Sequence, residues 1–454
     1  MAEYSFTPVE VPHIETKYRS IKTAIPVPES LPLFERLHKN EPRSMSGQPP
    51  IIWHSAEGFT VKDAYGNRWI DWSSGVLITN AGHGHPRIKA ALKQMIDQSL
   101  LATYVFVHEK RIDLTEELRM LSPDPENYRV FLLSTGAEAT ENCIKLAKTY
   151  ALKKYGPKRK YFVSFTSAFH GRTMGSQLAG GWNNQKEWIV DGDRTFIQVP
   201  FPDGFRNKNL SFDLFLETLK NNNVEPDEIA GVMSESYQGG GPDFLPVEYA
   251  QQLEAFCRKY DIVLIMDEVQ SGFGRTGKWF AFQHYNITPD LIPCGKGISS
   301  SLPLSAVIGR KDIMDIYPPG SMTSTHSGSP LCVTAALENI RILKDEKLTE
   351  NAAKLGEILY TEVTRIQKKY PEHLTWAYAK GLVGGIRCTT KDKQPDPETA
   401  KKINLACLYR GVLMFAPVGT GGECIKIAPP LCINEEALRE SLAVLEEACD
   451  AVLG

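Results

Sequence analysis

The chain has 454 residues, more than one ordinary domain needs, which leaves room for about two or three structural units built on large cores. A formal net charge of -3, with acids and bases interspersed, gives no electrostatic case for a nucleic-acid or anionic-membrane partner and leaves small-molecule chemistry. Nine cysteines, an odd number with no close CxxC pair, fit reduced thiols better than a disulfide framework or a zinc ribbon. The opening "MAEYSFTPVEVPHIETKYR" has no apolar h-region, and no apolar run reaches membrane-span length, so the expected location is the cytoplasm.

In chain order, the "HGH" of His83 and His85 comes first; with no carboxylate or thiol at ligand spacing it is not expected to bind a metal. Short β-type runs then alternate with helical patterns: "RVFLLS" at 129–134, "KYFVSF" at 160–165, "IAGVMSE" at 229–235, "IVLIMD" at 262–267, "DLIPCG" at 290–295 and "LSAVIG" at 304–309. This alternation predicts an α/β layer architecture with a mainly parallel sheet. Tyr249, Leu253, Phe256, Cys257 and Tyr260 recur at spacings of three and four, which predicts a helix over 247–260 with one face on the sheet. The stretch 317–330, "YPPGSMTSTHSGSP", is a turn-rich break. Beyond it helical patterns return, and Asn434 is the expected N-cap of a helix over 435–448. Residues 389–399 read as a solvated loop. The domains expected are a large one over 63–329 and a smaller α+β one built from 1–62 and 330–454.

Four stretches carry chemistry. The run 262–266 is apolar throughout and delivers the chain to Asp267 at the carboxyl end of a buried strand, where ligands of open α/β sheets sit. Lys296 follows another apolar run between Gly295 and Gly297; a partly desolvated lysine there loses its proton more easily and becomes a nucleophilic amine. In "LLSTGAEATENCIKLAK" a strand runs through Ser134 and Thr135 into a helix whose first amides, at Gly136 and Ala137, suit a phosphate. The signatures GxxxxGK[ST] and GxGxxG are missing, which counts against nucleoside triphosphates and dinucleotides. Finally, "SAFHGRTMGSQLAG" offers Phe169 to cover a planar ring, His170, and Arg172 to hold a carboxylate bidentately.

Together these pieces resemble the class III, or ω-type, aminotransferases dependent on pyridoxal phosphate, from "DAYGNRWIDWSSGVLITNAGHGHPRI" through "DEVQSGFGRTG" and "GKGI" to "CIKIAPPLCI". The resemblance implies pyridoxal-phosphate fold type I and an enzyme moving an amino group between an amino acid and an oxo acid. By it Asp267 faces the ring nitrogen, Lys296 is the Schiff-base lysine and proton shuttle, and Gly136 and Ala137 cradle the phosphate. Phe169 and Val269 match the residues on the two ring faces, Gln270 the contact to the ring hydroxyl, and His170 and Glu235 lie near the cofactor. Thr325 in "STHSGSP" matches a hydroxyl that reaches a phosphate across a subunit boundary, implying a homodimer with shared sites. Val76, Arg172, Gly240 and Lys426 fall at substrate positions.

The substrate positions depart from 4-aminobutyrate aminotransferases, which pair a glutamate after "QG" with an arginine near the C-terminus. Here those positions hold Gly240 and Lys426, and lysine cannot reproduce the planar bidentate fork. Lys426 is therefore expected to stand as an uncompensated cation for a substrate carboxylate, with Arg172 holding a second carboxylate or an ω-carboxylate; an ω-amino acid such as 4-aminobutyrate leads as donor on Arg172, with pyruvate competing as acceptor. A racemase or epimerase of the same fold is the alternative reading.

Overall fold

The computed structural model describes residues 4–190 and 192–454. The chain forms two compact units, one made of residues through His85 together with Glu350–Gly454, the other of Pro86–Thr349. Both dividing points lie C-terminal of the positions read from the sequence. The physical reason is that helices α1 (Pro86–Asp97) and α7 (Pro330–Asp345) belong together, tied by an Arg87–Glu338 ion pair at 2.6 Å.

The larger unit is built on a seven-stranded sheet: β1 (Tyr128–Leu133), β2 (Tyr161–Phe165), β3 (Phe196–Val199), β4 (Ile229–Glu235), β5 (Val263–Asp267), β6 (Leu291–Cys294) and β7 (Ser305–Arg310). The spatial order is β1-β7-β6-β5-β4-β2-β3, and β7 alone runs against the others. Every residue of β4 and β5 is buried, as continuous apolar runs in a helix-covered sheet should be. Six predicted strands are present within one residue at each end. β3, "FIQV", was not foreseen; four residues with a central glutamine at the sheet edge carry little periodic signal.

Helices α2 (Glu109–Met120), α3 (Gly136–Tyr155), α4 (Met174–Ala179), α5 (Asp213–Asn221) and α6 (Val247–Tyr260) complete the layers. Helix α6 spans the predicted residues and buries Tyr249, Leu253, Phe256 and Cys257. It links β4 to its parallel neighbour β5, with Asp267 opposite Glu235. Helix α3 starts on a capping box: Thr135 Oγ1 accepts from the Glu138 amide at 3.2 Å, and Glu138 Oε2 accepts from the amides of Ser134 and Thr135 at 2.8 and 3.0 Å.

In the smaller unit, Val412–Leu413 pairs in parallel with Arg68–Asp71, so segments from both ends of the chain share one sheet. A three-stranded antiparallel sheet joins Leu374–Ala379, Gly384–Cys388 and Cys424–Ile427. Its last helix, Glu435–Leu453, starts on Asn434, whose side chain accepts from the Ala437 amide at 2.8 Å. Among the described residues, no helix is long and apolar enough to cross a membrane. Asn434→Ala should lower stability by about 1 kcal/mol, the usual value of an N-cap, seen as a lower urea midpoint with unchanged slope.

Candidate active site

Within the larger unit the site grows from the carboxyl ends of the parallel strands. β5 ends on Asp267, 3% exposed. Its Oδ1 accepts from the Val269 amide at 2.9 Å, and its Oδ2 lies 2.7 Å from His170 Nδ1, on the loop after β2. Beside it at the end of β4, Glu235 accepts from the amides of Phe169 and Gly239, both at 2.9 Å. A single carboxylate thus clips two loops together.

Lys296 opens the short 3-10 turn after β6. The lysine itself takes a left-handed backbone, with φ 42°, while Gly295 beside it is extended at φ -171°. Left-handed non-glycine residues concentrate at functional sites, where the surrounding structure holds them. Gly136, the first residue of α3, is needed for close approach: a Cβ there would lie 2.7 Å from Val269 Cγ1. Gly239 does the same for Gln270, whose Nε2 would meet an added Cβ at 2.0 Å. Gln270 also accepts from the Tyr237 hydroxyl at 3.2 Å.

Burial sets the site's electrostatics. It pushes the Glu235 carboxyl up from 4.5 to about 7, with the Asp267 charge adding to the effect and His170 opposing it. It draws the Lys296 ammonium below the ordinary lysine range, against the pull of Asp267 and Glu235. For His170 burial disfavours the cation, but the hydrogen bond and charge of Asp267 outweigh it, and its pKa rises above 6.5.

The remaining candidates lie apart from this buried core. Arg172 is exposed, its Nη1 donates to Gln185 Oε1 at 2.8 Å, and its guanidinium lies 5.4 Å from the Phe169 ring centroid. Gly240 sits at the tip of the hairpin between Tyr237–Gln238 and Asp243–Phe244. Thr325 is exposed on the turn-rich 317–330 stretch.

Two candidates belong to the smaller unit. Val76 is 43% exposed in a turn where Ser74, Gly75, Val76 and Leu77 all have φ between 49° and 65°. Such a left-handed turn costs roughly 1–2 kcal/mol per non-glycine residue. Asp71 helps hold it, accepting from the Ser73 amide and hydroxyl at 2.7 and 2.6 Å and lying 2.7 Å from His83 Nε2. Lys426 corrects an expectation: it is 1% exposed on the Cys424–Ile427 strand and is not without a partner. An ammonium so fully buried persists only when paired.

A family model described as "Aminotransferase class-III" matches residues 43–449. The chain belongs to the class-III aminotransferase family. It is 32% identical to a 4-aminobutyrate aminotransferase of Mycobacterium leprae, over 94% of this chain and 97% of that protein. It is 30% identical to an alanine/serine racemase of Pyrococcus horikoshii, over 98% and 95%. An (S)-enantioselective omega-transaminase from Thermomicrobium roseum superimposes with a TM-score of 0.85 at 28% identity, covering 94% of this chain and 99% of that one.

The cofactor of this aminotransferase is pyridoxal phosphate, and the strand-end residues fit it. The first amides of α3 would suit its phosphate, Asp267 a protonated ring nitrogen, Phe169 a ring face and Lys296 its aldehyde. Bound there, the group supplies an electron sink for bond cleavage at a substrate carbon. Asp267 is held for such a role by His170 and the Val269 amide, and burial shifts Lys296 toward the neutral amine.

Sequence reading missed the Glu138 half of the capping box, although "TGAE" spells its T-x-x-E signature, and it missed the His170–Asp267 contact. A carboxyl raised by folding adds stability below its unfolded pKa that is lost as pH rises through the folded one. Cofactor-free protein should therefore lose stability between pH 4.5 and about 7, and Glu235→Gln should make that loss shallower in denaturant titrations across this range.

Proposed function

We propose that this aminotransferase takes an ω-amino acid such as 4-aminobutyrate as donor and passes its amino group to a 2-oxo acid, working in the cytoplasm as a homodimer with shared sites. The observation that carries the donor class is Arg172. Its guanidinium lies beside Phe169 and is engaged by the neutral Gln185 amide, so a substrate carboxylate gains a full charge partner by replacing that amide. Gly240 presents no side chain at the hairpin tip, and pyruvate remains a competitor of 2-oxoglutarate as acceptor. Lys296 is read as the covalent anchor and Asp267 as the partner of the ring nitrogen.

The dimer reading is supported by an exposed apolar run, Leu100, Leu101 and Tyr104 to Val107, with Phe106 76% and Val107 68% exposed. The Thr325 loop shares that surface: Tyr104 Oη and Thr323 Oγ1 are 3.0 Å apart, and His108 Nε2 is 2.9 Å from the Gly328 carbonyl. Thr325 then serves the partner's phosphate site.

A racemase is the second reading, favoured by the 30% identity to the alanine/serine racemase. Single-enantiomer amino acids in deuterated water, without oxo acid, separate the two. An aminotransferase stops after each site has taken up one amino group. Sustained racemisation with deuterium incorporation, and no transfer to a panel of oxo acids, overturns the proposal.

Borohydride reduction and peptide mapping should place the pyridoxyl group on Lys296, and Asp267→Asn should slow turnover about a hundredfold, roughly 3 kcal/mol of transition-state stabilisation. Lys296→Ala and Thr325→Ala homodimers should both be impaired, yet mixed dimers should regain activity, because one site then carries neither lesion. Mixed dimers without recovered activity would assign Thr325 to its own chain.

A further inference from the structure

The loop that carries Phe169 and His170 leaves β2 through a turn at Thr166 and Ser167, and Ser167 is left-handed at φ 63°. Glycine would adopt this conformation freely; a serine is held there by its surroundings. The Phe201 amide donates to the Thr166 hydroxyl at 3.2 Å, and Gln238 Nε2 to the Thr166 carbonyl at 2.7 Å. The Trp182 indole donates to the Ser167 carbonyl at 2.9 Å, and Arg206 Nη1 to the Ser167 hydroxyl at 3.1 Å.

Arg206 uses the rest of its fork on two buried acids. Its Nε lies 2.8 Å from Asp203 Oδ2 and its Nη2 3.0 Å from Asp243 Oδ2; the two carboxylates are 2% and 0% exposed and the arginine 29%. Asp203 closes its own loop by accepting from the Phe205 and Asn207 amides, both at 2.9 Å. Asp243 faces Gln238 across the hairpin, and Gln238 returns to Thr166. The circuit Ser167, Arg206, Asp243, Gln238, Thr166 is therefore closed. Within the same loops, the Glu235 carboxylate joins Phe169 to Gly239. The two arms of the candidate site are thus fastened twice, once by Glu235 and once by Arg206.

We propose that Arg206 is a positioning residue for the cofactor loop: by holding Ser167 in its left-handed turn, it sets where Phe169 and His170 meet the cofactor. The proposal rests on reading this site as the pyridoxal-phosphate site. Three acceptors on three segments need the planar guanidinium, so lysine cannot replace it. An arginine that only neutralised two buried acids would affect folding stability and nothing else.

The test compares wild type with Ser167→Ala, which removes one acceptor and leaves both ion pairs, and with Arg206→Lys. Each is measured for unfolding midpoint without cofactor, dissociation constant for pyridoxal phosphate, visible circular dichroism of the bound cofactor, and amide exchange of the cofactor-free 166–172 peptide. Ser167→Ala is expected to leave the midpoint near wild type, weaken cofactor binding about fivefold, the scale of one hydrogen bond, reduce the dichroism and speed exchange in that peptide. Arg206→Lys should go further in each. If Arg206→Lys does not fold, Ser167→Ala alone decides. Variants that lower only the midpoint, with wild-type cofactor affinity and dichroism, overturn the proposal. Failure of the wild type to bind pyridoxal phosphate would instead overturn the reading of the site, and the cofactor-free exchange data would still show whether Arg206 holds the turn.

Discussion

The frame of the larger unit's candidate site depends on keeping one carboxylate, that of Asp267, out of water and in a fixed place. A carboxylate at the end of a strand buried on both faces persists only with hydrogen-bond partners, and Asp267 has two, the Val269 amide and the His170 ring. That requirement fixes the loop after β2, since His170 must reach across from it. It also sets the neighbouring groups: the same burial raises Glu235 and lowers Lys296. The site is therefore one low-dielectric environment acting on several groups at once, which is how a preorganised electrostatic site is built.

Much of this frame was legible in the chain because central strands of a parallel sheet announce themselves. The runs 229–235 and 262–267 are apolar along their length, and the structure buries every residue of β4 and β5. The edge strand β3 gave no such signal. Glu268, next to Asp267, lies just beyond the end of β5. Glu268 turns away and accepts from the Ser236 and Ser271 hydroxyls and the amides of Ala281 and Phe282. Contacts between distant residues stayed hidden: His170 and Asp267 are separated by 97 positions, and no local spacing encodes their meeting. Lys426 illustrates the same limit, since its identity was visible and its burial in a β-ladder opposite Gly385 was not.

The cofactor candidates on strand ends and the substrate candidates on loops differ in kind. Asp267 and Glu235 sit on strand ends, buried and hydrogen-bonded, and Lys296 lies two residues past the end of β6. Arg172 and Gly240 sit on a loop and a hairpin tip, whereas Lys426 is buried on a strand and Thr325, read as a phosphate contact, lies on a turn-rich stretch. Rigid elements hold the chemistry common to a family, while loops vary at little cost to the fold. The chain is similar both to a 4-aminobutyrate aminotransferase and to an alanine/serine racemase. Both reactions begin by loosening a proton at the amino-bearing carbon; they diverge in where the proton returns and whether a second substrate is admitted.

On the proposed reading of Arg172 as the donor's carboxylate partner, selectivity becomes a question of what replaces Gln185. In the exposed state the guanidinium is satisfied by that amide and by water, so charge adds little. A substrate carboxylate that displaces the amide also displaces water, and the attraction between the charges grows as the local dielectric falls. A donor without a carboxylate within reach of Arg172 gains nothing from the exchange and leaves the amide in place. Discrimination therefore depends on how far the substrate excludes water around Arg172, and the Phe169 ring, 5.4 Å from the guanidinium, already shields one side.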